Sequence, residues 1–377
     1  MPLLKTAYLN TCNKRIRFFI FVFFFHLLIT LFICRLAFAH PMGADGDMFT
    51  YRIQPNDTLI DLASVYTLNE GNWKILQNIN QIDDPTKLPI GKVLRIPFTL
   101  IPTKESYATL VHRQGQVFLN DEPINKGDLI KAGDTLRTNT HSFATILLED
   151  DSSISLPENT ELYFQQINQF VGIPIVDVIF ELKNGSLETN VDPNDKGVGR
   201  YEIHTPVSVT GVRGTQMRIN SAQQTSRTEL IKGHAQVHTK SIKPHMLSSQ
   251  QGAYVDDSGQ LKVAHLPNAP KVISNEPSQG GRKIRIAPMN NAKAFLVQIA
   301  TDPLGQRIIS RNYTTENEFF LFPKQNGEHY AFIRAIDEQN FMGLDTLVQF
   351  PGRPILLTRD KQPVLSGFGQ VIFVGSP

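Results

Sequence analysis

The chain has 377 residues, with 37 Lys and Arg against 35 Asp and Glu and a formal net charge of +2. That near-neutral balance excludes the strongly basic footprint of a nucleic-acid binder. Only two cysteines, Cys12 and Cys34, are present, which excludes a disulfide-stapled scaffold and a multi-thiolate metal site.

Residues 1–39 read as an export signal, to be set aside before any fold argument. Lys5, Lys14, Arg15 and Arg17 form a basic start, and 18–33 is an apolar run interrupted by His26 and Thr30. Ala37-Phe38-Ala39 then places small residues where a signal peptidase reads them, which predicts cleavage after Ala39 and a location in the periplasm or cell envelope. The run approaches the ~17 residues that span a bilayer, so a retained inner-membrane anchor is the alternative. Cys34 follows Phe32 and Ile33, which argues against a lipoprotein signal. Cleavage leaves 32 basic and 35 acidic residues and removes both cysteines, so the mature chain is near −3 with no thiol.

Residues 40–48, with two Gly and two Asp, read as a short linker. Residues 49–98 then read as one compact β-α-α-β unit. Residues 49–53 alternate as a strand, and Asp57 or Thr58 can cap a helix that puts Leu59, Leu62, Ala63 and Tyr66 on one face. Asn72 can cap a second helix carrying Trp73, Leu76 and Ile79. Pro85 and Pro89 end it, Gly91 turns the chain, and Val93-Leu94-Arg95-Ile96 closes the sheet. A core this small is needed to keep the unit folded and leaves little room for a catalytic cavity. Trp73, the single tryptophan, is expected in that core.

Tyr51-Arg52-Ile53, Asn56-Asp57-Thr58-Leu59, Leu62-Ala63, Trp73-Lys74-Ile75-Leu76, Asn78-Ile79-Asn80 and the run from Leu88 to Pro97 together resemble a LysM domain. One departure is Asn56, where the family usually has Gly; Asn tolerates the left-handed conformation a tight turn needs. The resemblance implies binding of peptidoglycan or another N-acetylglucosamine glycan in a shallow groove between two loops. By that resemblance the glycan-binding positions are Asn56, Asp57, Thr58 and Leu59 on one side and Asn80, Gln81, Ile82, Asp83 and Asp84 on the other. Short polar side chains and backbone amides there would meet the acetamido groups, with Leu59 and Ile82 against the sugar faces.

Residues 99–107 read as a second linker, and 108–265 as an all-β region of short β-branched runs. The clearest runs are 117–119, 143–148, 175–182, 201–204, 216–219 and 235–238, with turns expected at Asp150-Asp151-Ser152, Asn184-Gly185 and Asp257-Ser258-Gly259. Gly127-Asp128, Gly133-Asp134-Thr135-Leu136-Arg137, and Thr205-Pro206 through Gly211-Val212-Arg213-Gly214-Thr215 are similar to the FecR family of envelope proteins. FecR proteins often relay an outer-membrane signal through a cytoplasmic N-terminal segment and one span. About 17 residues precede the apolar run, too few for that segment, so the resemblance implies architecture rather than iron signalling. Gly211 and Gly214 are expected at a β-corner, with Arg213 paired to a carboxylate.

Residues 271–351 carry evenly spaced strands at 283–286, 295–300, 307–310, 318–322 and 330–335, which suggests an immunoglobulin- or fibronectin-like β-sandwich. Residues 352–377 form a tail, with a candidate last strand at 370–374. The fold class is therefore multidomain: a LysM module, an all-β FecR-like domain and a C-terminal sandwich.

No chemistry-bearing motif emerges. His234 and His238, four apart on a strand, would stand ~13 Å apart, too far to share a metal. There is no nucleophile elbow, zinc helix, phosphate loop or dinucleotide fingerprint. Asp150 and Asp151, and Asp256 and Asp257, sit in turn contexts. The reading is a non-catalytic envelope protein without cofactor or metal, tethered to glycan and presenting β domains to a protein partner. A sensor retained by an uncleaved N-terminal helix and an accessory of a cell-wall hydrolase are the alternatives.

Overall fold

The computed structural model describes residues 43–45, 47–173, 175–191, 199–239, 243–278, 280–323, 325–356, 358–359, 362–367, 369 and 371–373. The expected export signal, and with it the cleavage site, lies outside the described residues.

In the N-terminal unit, strands Gly43–Asp45, Met48–Arg52 and Val93–Pro97 form an antiparallel sheet in that order. Helices α1 (Leu59–Thr67) and α2 (Trp73–Asn80) pack on it, joined by a 3-10 turn at Glu70–Asn72. The first strand falls inside the stretch read as a linker. Phe49, Tyr51 and Ile53 alternate inward from the sheet to meet Leu59, Leu62, Tyr66 and Leu76 from the helices. The Tyr66 ring stands 5.2 Å from Phe49 and 5.4 Å from Tyr51, tilted against both, so the aromatics clamp α1 to the sheet. Trp73 is half-buried against this core.

Among the described residues, sixteen strands from Thr103–Glu105 to Leu261–His265 join in one sheet folded over a second core. Pairing is antiparallel except where Tyr201–His204 runs parallel to Val176–Asn190. No helix interrupts the described part of this region. Its frame is a set of long strands, Val176–Asn190, Val209–Ala222 and Thr225–His238, of 15, 14 and 14 residues. Of the shorter runs read from sequence, 175–182, 216–219 and 235–238 are parts of these, while 117–119, 143–148 and 201–204 correspond to the separate strands Val117–Leu119, Phe143–Leu147 and Tyr201–His204. Two expectations are corrected here. Asn184-Gly185 does not end a strand: it lies within Val176–Asn190, where the register against Thr160–Phe170 slips between Glu161 and Leu162 and Gly185 takes φ +95°. Gly211 to Gly214 is not a corner between strands: Val209–Ala222 runs through it, with a bulge between Arg213 and Gln216 and Gly214 at φ +50°. The Arg213 side chain lies outside what is described.

Residues 272–352 form a sandwich of three strands, order Val272–Ser278, Gly281–Ile286, Glu318–Leu321, on four, order Ile308–Thr314, Ala294–Ala300, Gly327–Ile336, Thr346–Gly352. Ile284, Val297, Ile299, Ala331, Ile333 and Phe350 fill the space between. Beyond it, isolated bridges join Ile355 to Phe373 and Leu365 to Val371.

The three units are not strung on free linkers. Phe170, at the end of Thr160–Phe170, and Ile173 and Ile175 beyond it belong to the core of the N-terminal unit, with the Phe170 ring 4.6 Å from Phe98. The stretch 99–107 adds strand Thr103–Glu105 to the large sheet, paired to residues 168–170.

Candidate functional site

The loop before α1 and the loop after α2 are brought side by side by a hydrogen bond from the Leu59 amide to the Pro85 carbonyl, 3.4 Å. Their local chemistry separates the residues that build the two loops from those that face out of them. Asn56 is exposed and takes φ +73°, the left-handed turn expected of it. One Asp57 carboxylate oxygen accepts from the Gln54 amide at 2.6 Å and from the Tyr51 hydroxyl at 2.9 Å. Burial first, then this carboxylate, pushes the Tyr51 hydroxyl well above its ordinary pKa, so it stays a donor at any physiological pH. Thr58 caps α1: its Oγ1 accepts from the Asp61 amide at 3.2 Å and donates to the Asp61 carboxylate at 2.6 Å.

Across the groove, Asn80 is inward-facing. Its amide nitrogen donates to the Leu76 and Arg95 carbonyls at 2.9 and 2.8 Å, and its oxygen accepts from the Arg95 amide at 2.7 Å. It bolts α2 to the closing strand. Leu59 and Ile82 are core residues with 0% and 6% exposure, so neither offers a face to a sugar. Gln81 ends α2 in the left-handed conformation and is exposed. Asp83 and Asp84 are exposed; Asp84 accepts from the Thr86 hydroxyl at 2.7 Å and the Thr86 amide at 2.9 Å, which hold its pKa below the usual carboxylate value. The nine positions thus divide. Asp57, Leu59, Asn80 and Ile82 shape the loops; Asn56, Gln81, Asp83 and Asp84 line their outside, and Thr58 is half-buried between.

A second constellation went unforeseen. Arg218 and Arg334, 4% and 1% exposed, lie between the large sheet and the sandwich among Glu188, Glu229 and Asp345. Arg334 bonds Glu188 at 2.8 Å and Asp345 at 2.6 Å, and Arg218 bonds Asp345 at 2.6 Å and the Gly343 carbonyl at 2.8 Å. Glu229 accepts from the Met342 amide at 2.7 Å and stands 3.5 Å from Arg218. Burial opposes charge on every member. At Glu188, Arg334 and Arg218 overcome burial and hold the pKa at about 2, whereas at Glu229 burial outweighs Arg218 and lifts it to about 7. Arg218 sits in the strand carrying Gly211 to Gly214, and Arg334 in an otherwise apolar strand segment. The latter was the one signal open to sequence reading.

His234 and His238 share strand Thr225–His238, and His238 bonds its neighbour Gln236 at 3.0 Å. No cluster of three or more His, Cys, Asp or Glu side chains suited to a metal occurs among the described residues. No described helix is long and apolar enough to cross a membrane.

Comparison with known families agrees with this geometry. Residues 51–97 match the LysM domain and residues 134–236 the FecR protein family, so a LysM domain is followed by a FecR domain. Both families are envelope-associated and non-catalytic. No curated protein matches the chain. Among solved structures, two crystal structures of a candidate anti-sigma factor from Parabacteroides distasonis are similar, at 13% and 14% identity and a TM-score of 0.29 each. Each covers 35% of this chain, and this chain spans 59% of theirs.

Proposed function

We propose that this is a non-catalytic, exported envelope protein that binds peptidoglycan through its LysM domain and presents the FecR domain and sandwich to a protein partner. The observation that supports the reading is the pair of LysM loops held together at Leu59 and Pro85, with Asn56, Gln81, Asp83 and Asp84 left exposed on them. Exposed amides and carboxylates on rigid loops suit hydroxyl and acetamido groups, and a single shallow groove binds weakly because it buries little area.

The β domains support the second half of the reading. The ionic cluster fixes the sandwich to the FecR domain, giving a partner one large surface rather than two jointed ones. Retention by an uncleaved N-terminal helix and service beside a cell-wall hydrolase are the competing readings.

Asp83 is exposed and makes no side-chain hydrogen bond among the described residues, so Asp83→Trp obstructs the groove without disturbing the core. The full mature chain is expected to co-sediment with purified sacculi, and the D83W chain to lose most of that binding while keeping its melting temperature. Equal sedimentation of both would move the binding elsewhere.

A further inference from the structure

A cavity of about 560 Å³ opens between the LysM domain and one face of the large sheet, within the range of small-molecule sites. It is separate from the two LysM loops. Asp47, on its LysM wall, precedes strand Met48–Arg52, whereas the Asn56 loop follows that strand, roughly 17 Å further on.

The pairing register fixes what the sheet offers. Glu202, Gly211, Gln236 and Met246 stand opposite one another on four neighbouring strands and form one row. All four line the cavity, while their chain neighbours Ile203, Thr210, Val237 and Leu247 are buried on the other face. Strand spacing puts Glu202 and Gln236 roughly 10 Å apart across Gly211. Each of the two polar side chains is aimed by a histidine two residues along its own strand. His204 Nε2 donates to Glu202 Oε2 at 2.7 Å, and His238 Nε2 donates to Gln236 Oε1 at 3.0 Å. The His204 bond holds the Glu202 carboxyl below the usual carboxylate value, so it is ionised at neutral pH. That leaves Glu202 Oε1 as an acceptor and both N–H groups of Gln236 as donors, none of them bonded among the described residues. Gly211, between them, has no backbone reason to be glycine. Its φ is not left-handed, and a Cβ there would meet nothing closer than the Gln236 carbonyl oxygen at 3.9 Å, an ordinary contact. Glycine weakens a strand interior, and it often marks a place where a ligand approaches the backbone.

The charges disfavour an anion. Asp47, Asp177 and Glu202 all line the cavity, and the Arg200 guanidinium is already held by Asp177 at 2.8 and 3.1 Å. A cation meets that same guanidinium and the outward N–H groups of Gln236. What fits is a neutral molecule that donates at one end of the row and accepts at the other. Phe98, Val209 and Met246 supply apolar surface beside these groups. A hydroxyl both donates and accepts, and a sugar ring carries hydroxyls on its rim and C–H groups on its faces. We propose that this cavity binds a short neutral saccharide, one ring lying over Gly211, with one hydroxyl donating to Glu202 and another accepting from Gln236.

The test reads the Met246 methyl resonance in the full mature chain, with isotope-labelled methionine methyl groups and the signal assigned by its loss in Met246→Leu. Maltose, cellobiose and lactose are titrated into the Asp83→Trp chain. The LysM loops are then obstructed, and none of the probes contains N-acetylglucosamine. At least one probe is expected to move the Met246 resonance saturably, and Glu202→Gln to weaken that binding about tenfold, the loss of one charge-assisted bond. Gly211→Val fills the notch with a side chain suited to a strand. Its melting temperature is expected to stay level or rise while the saccharide shift disappears. Gly211→Ala, whose single added carbon has room, decides the matter if valine disturbs the sheet; it keeps the fold and weakens binding. No saturable shift with any of the three up to about 50 mM, beyond the range of weak millimolar sites, overturns the proposal. So does unchanged binding in a Gly211 variant that melts normally, or an equal shift with acetate or ethanolamine, which would mean that charge is selected and hydroxyls are not. None of these outcomes bears on the LysM loops, whose ligand is measured separately by sedimentation.

Discussion

Glu229 is the residue whose chemistry most constrains this molecule. It is 2% exposed, and its pKa rises from 4.5 to about 7 because burial outweighs the attraction of Arg218. The folded state therefore holds a proton that the unfolded state has released between those values, so Glu229 costs stability progressively as pH rises from about 4.5 to 7. Glu188 works in the opposite sense: with a folded pKa of about 2, it contributes stability that is complete above 4.5 and lost as pH falls toward 2. Together the two carboxylates favour mildly acidic conditions. Glu229→Gln keeps an acceptor for the Met342 amide and removes the titration. Its melting temperature should stay level between pH 5 and 8, while the parent falls, the difference amounting to no more than about 3 kcal/mol. A parent curve as level as that of the variant would show that Glu229 ionises as readily in the folded chain as in the unfolded one, so that burial does not lift its pKa. At this scale sequence reading succeeded where the cause was local. The left-handed turn at Asn56 and the cap at Thr58 depend on neighbours within three residues. It did not anticipate the inward turn of Asn80, whose partner Arg95 is 15 positions away, nor a charge cluster assembled from strands more than a hundred residues apart.

Long strands with internal bulges are the elements that sequence reading shortened. A glycine beside a polar residue signals a turn when it ends a run, yet the same signal marks a bulge when the partner strand continues past it, and only pairing distinguishes the two. Gly214 lies in a bulge, and Gly185 stands two residues past the slip at Lys183. Opposite Gly214 lies Gly233, at φ +95°, where a Cβ would meet the Gly214 carbonyl oxygen at 2.3 Å. Gly233→Ala would impose both backbone strain and a collision with a backbone atom. Urea unfolding should show a loss of about 2 kcal/mol or more. An unchanged midpoint would mean that the bulge yields freely and sets no close approach between the two strands. Helix α1 was more legible, because its cap at Thr58 and its apolar face are written locally; the cap expected of Asn72 on α2 is corrected, since Asn72 stands at the N-cap position but its side-chain amide donates to the Thr67 hydroxyl at 2.9 Å instead.

The whole molecule departs furthest from the picture of modules on linkers. Residues 99–107 have the polar, proline-containing composition of a connector, but composition does not report that Thr103–Glu105 finds an open sheet edge or that Phe170 docks on Phe98. The LysM domain is thereby seated on the FecR domain, through a core that Phe170, Ile173 and Ile175 complete. Phe170→Ala should remove about 3–5 kcal/mol of packing. Limited proteolysis should then release the LysM domain, while the remaining β domains, whose core is separate, stay intact. Persistence of the undivided chain would show that the strand pairing alone is enough to hold the domains together. A seated LysM domain also presents its two loops in a fixed direction relative to the β surface, so the proposed glycan binding would orient that surface as well as retain it. The account rests on the glycan. Its most direct test is sedimentation of the mature chain with purified sacculi, competed by a soluble N-acetylglucosamine oligomer. Saturable binding that the oligomer displaces is the predicted result; no sedimentation, or sedimentation the oligomer leaves unchanged, would contradict it.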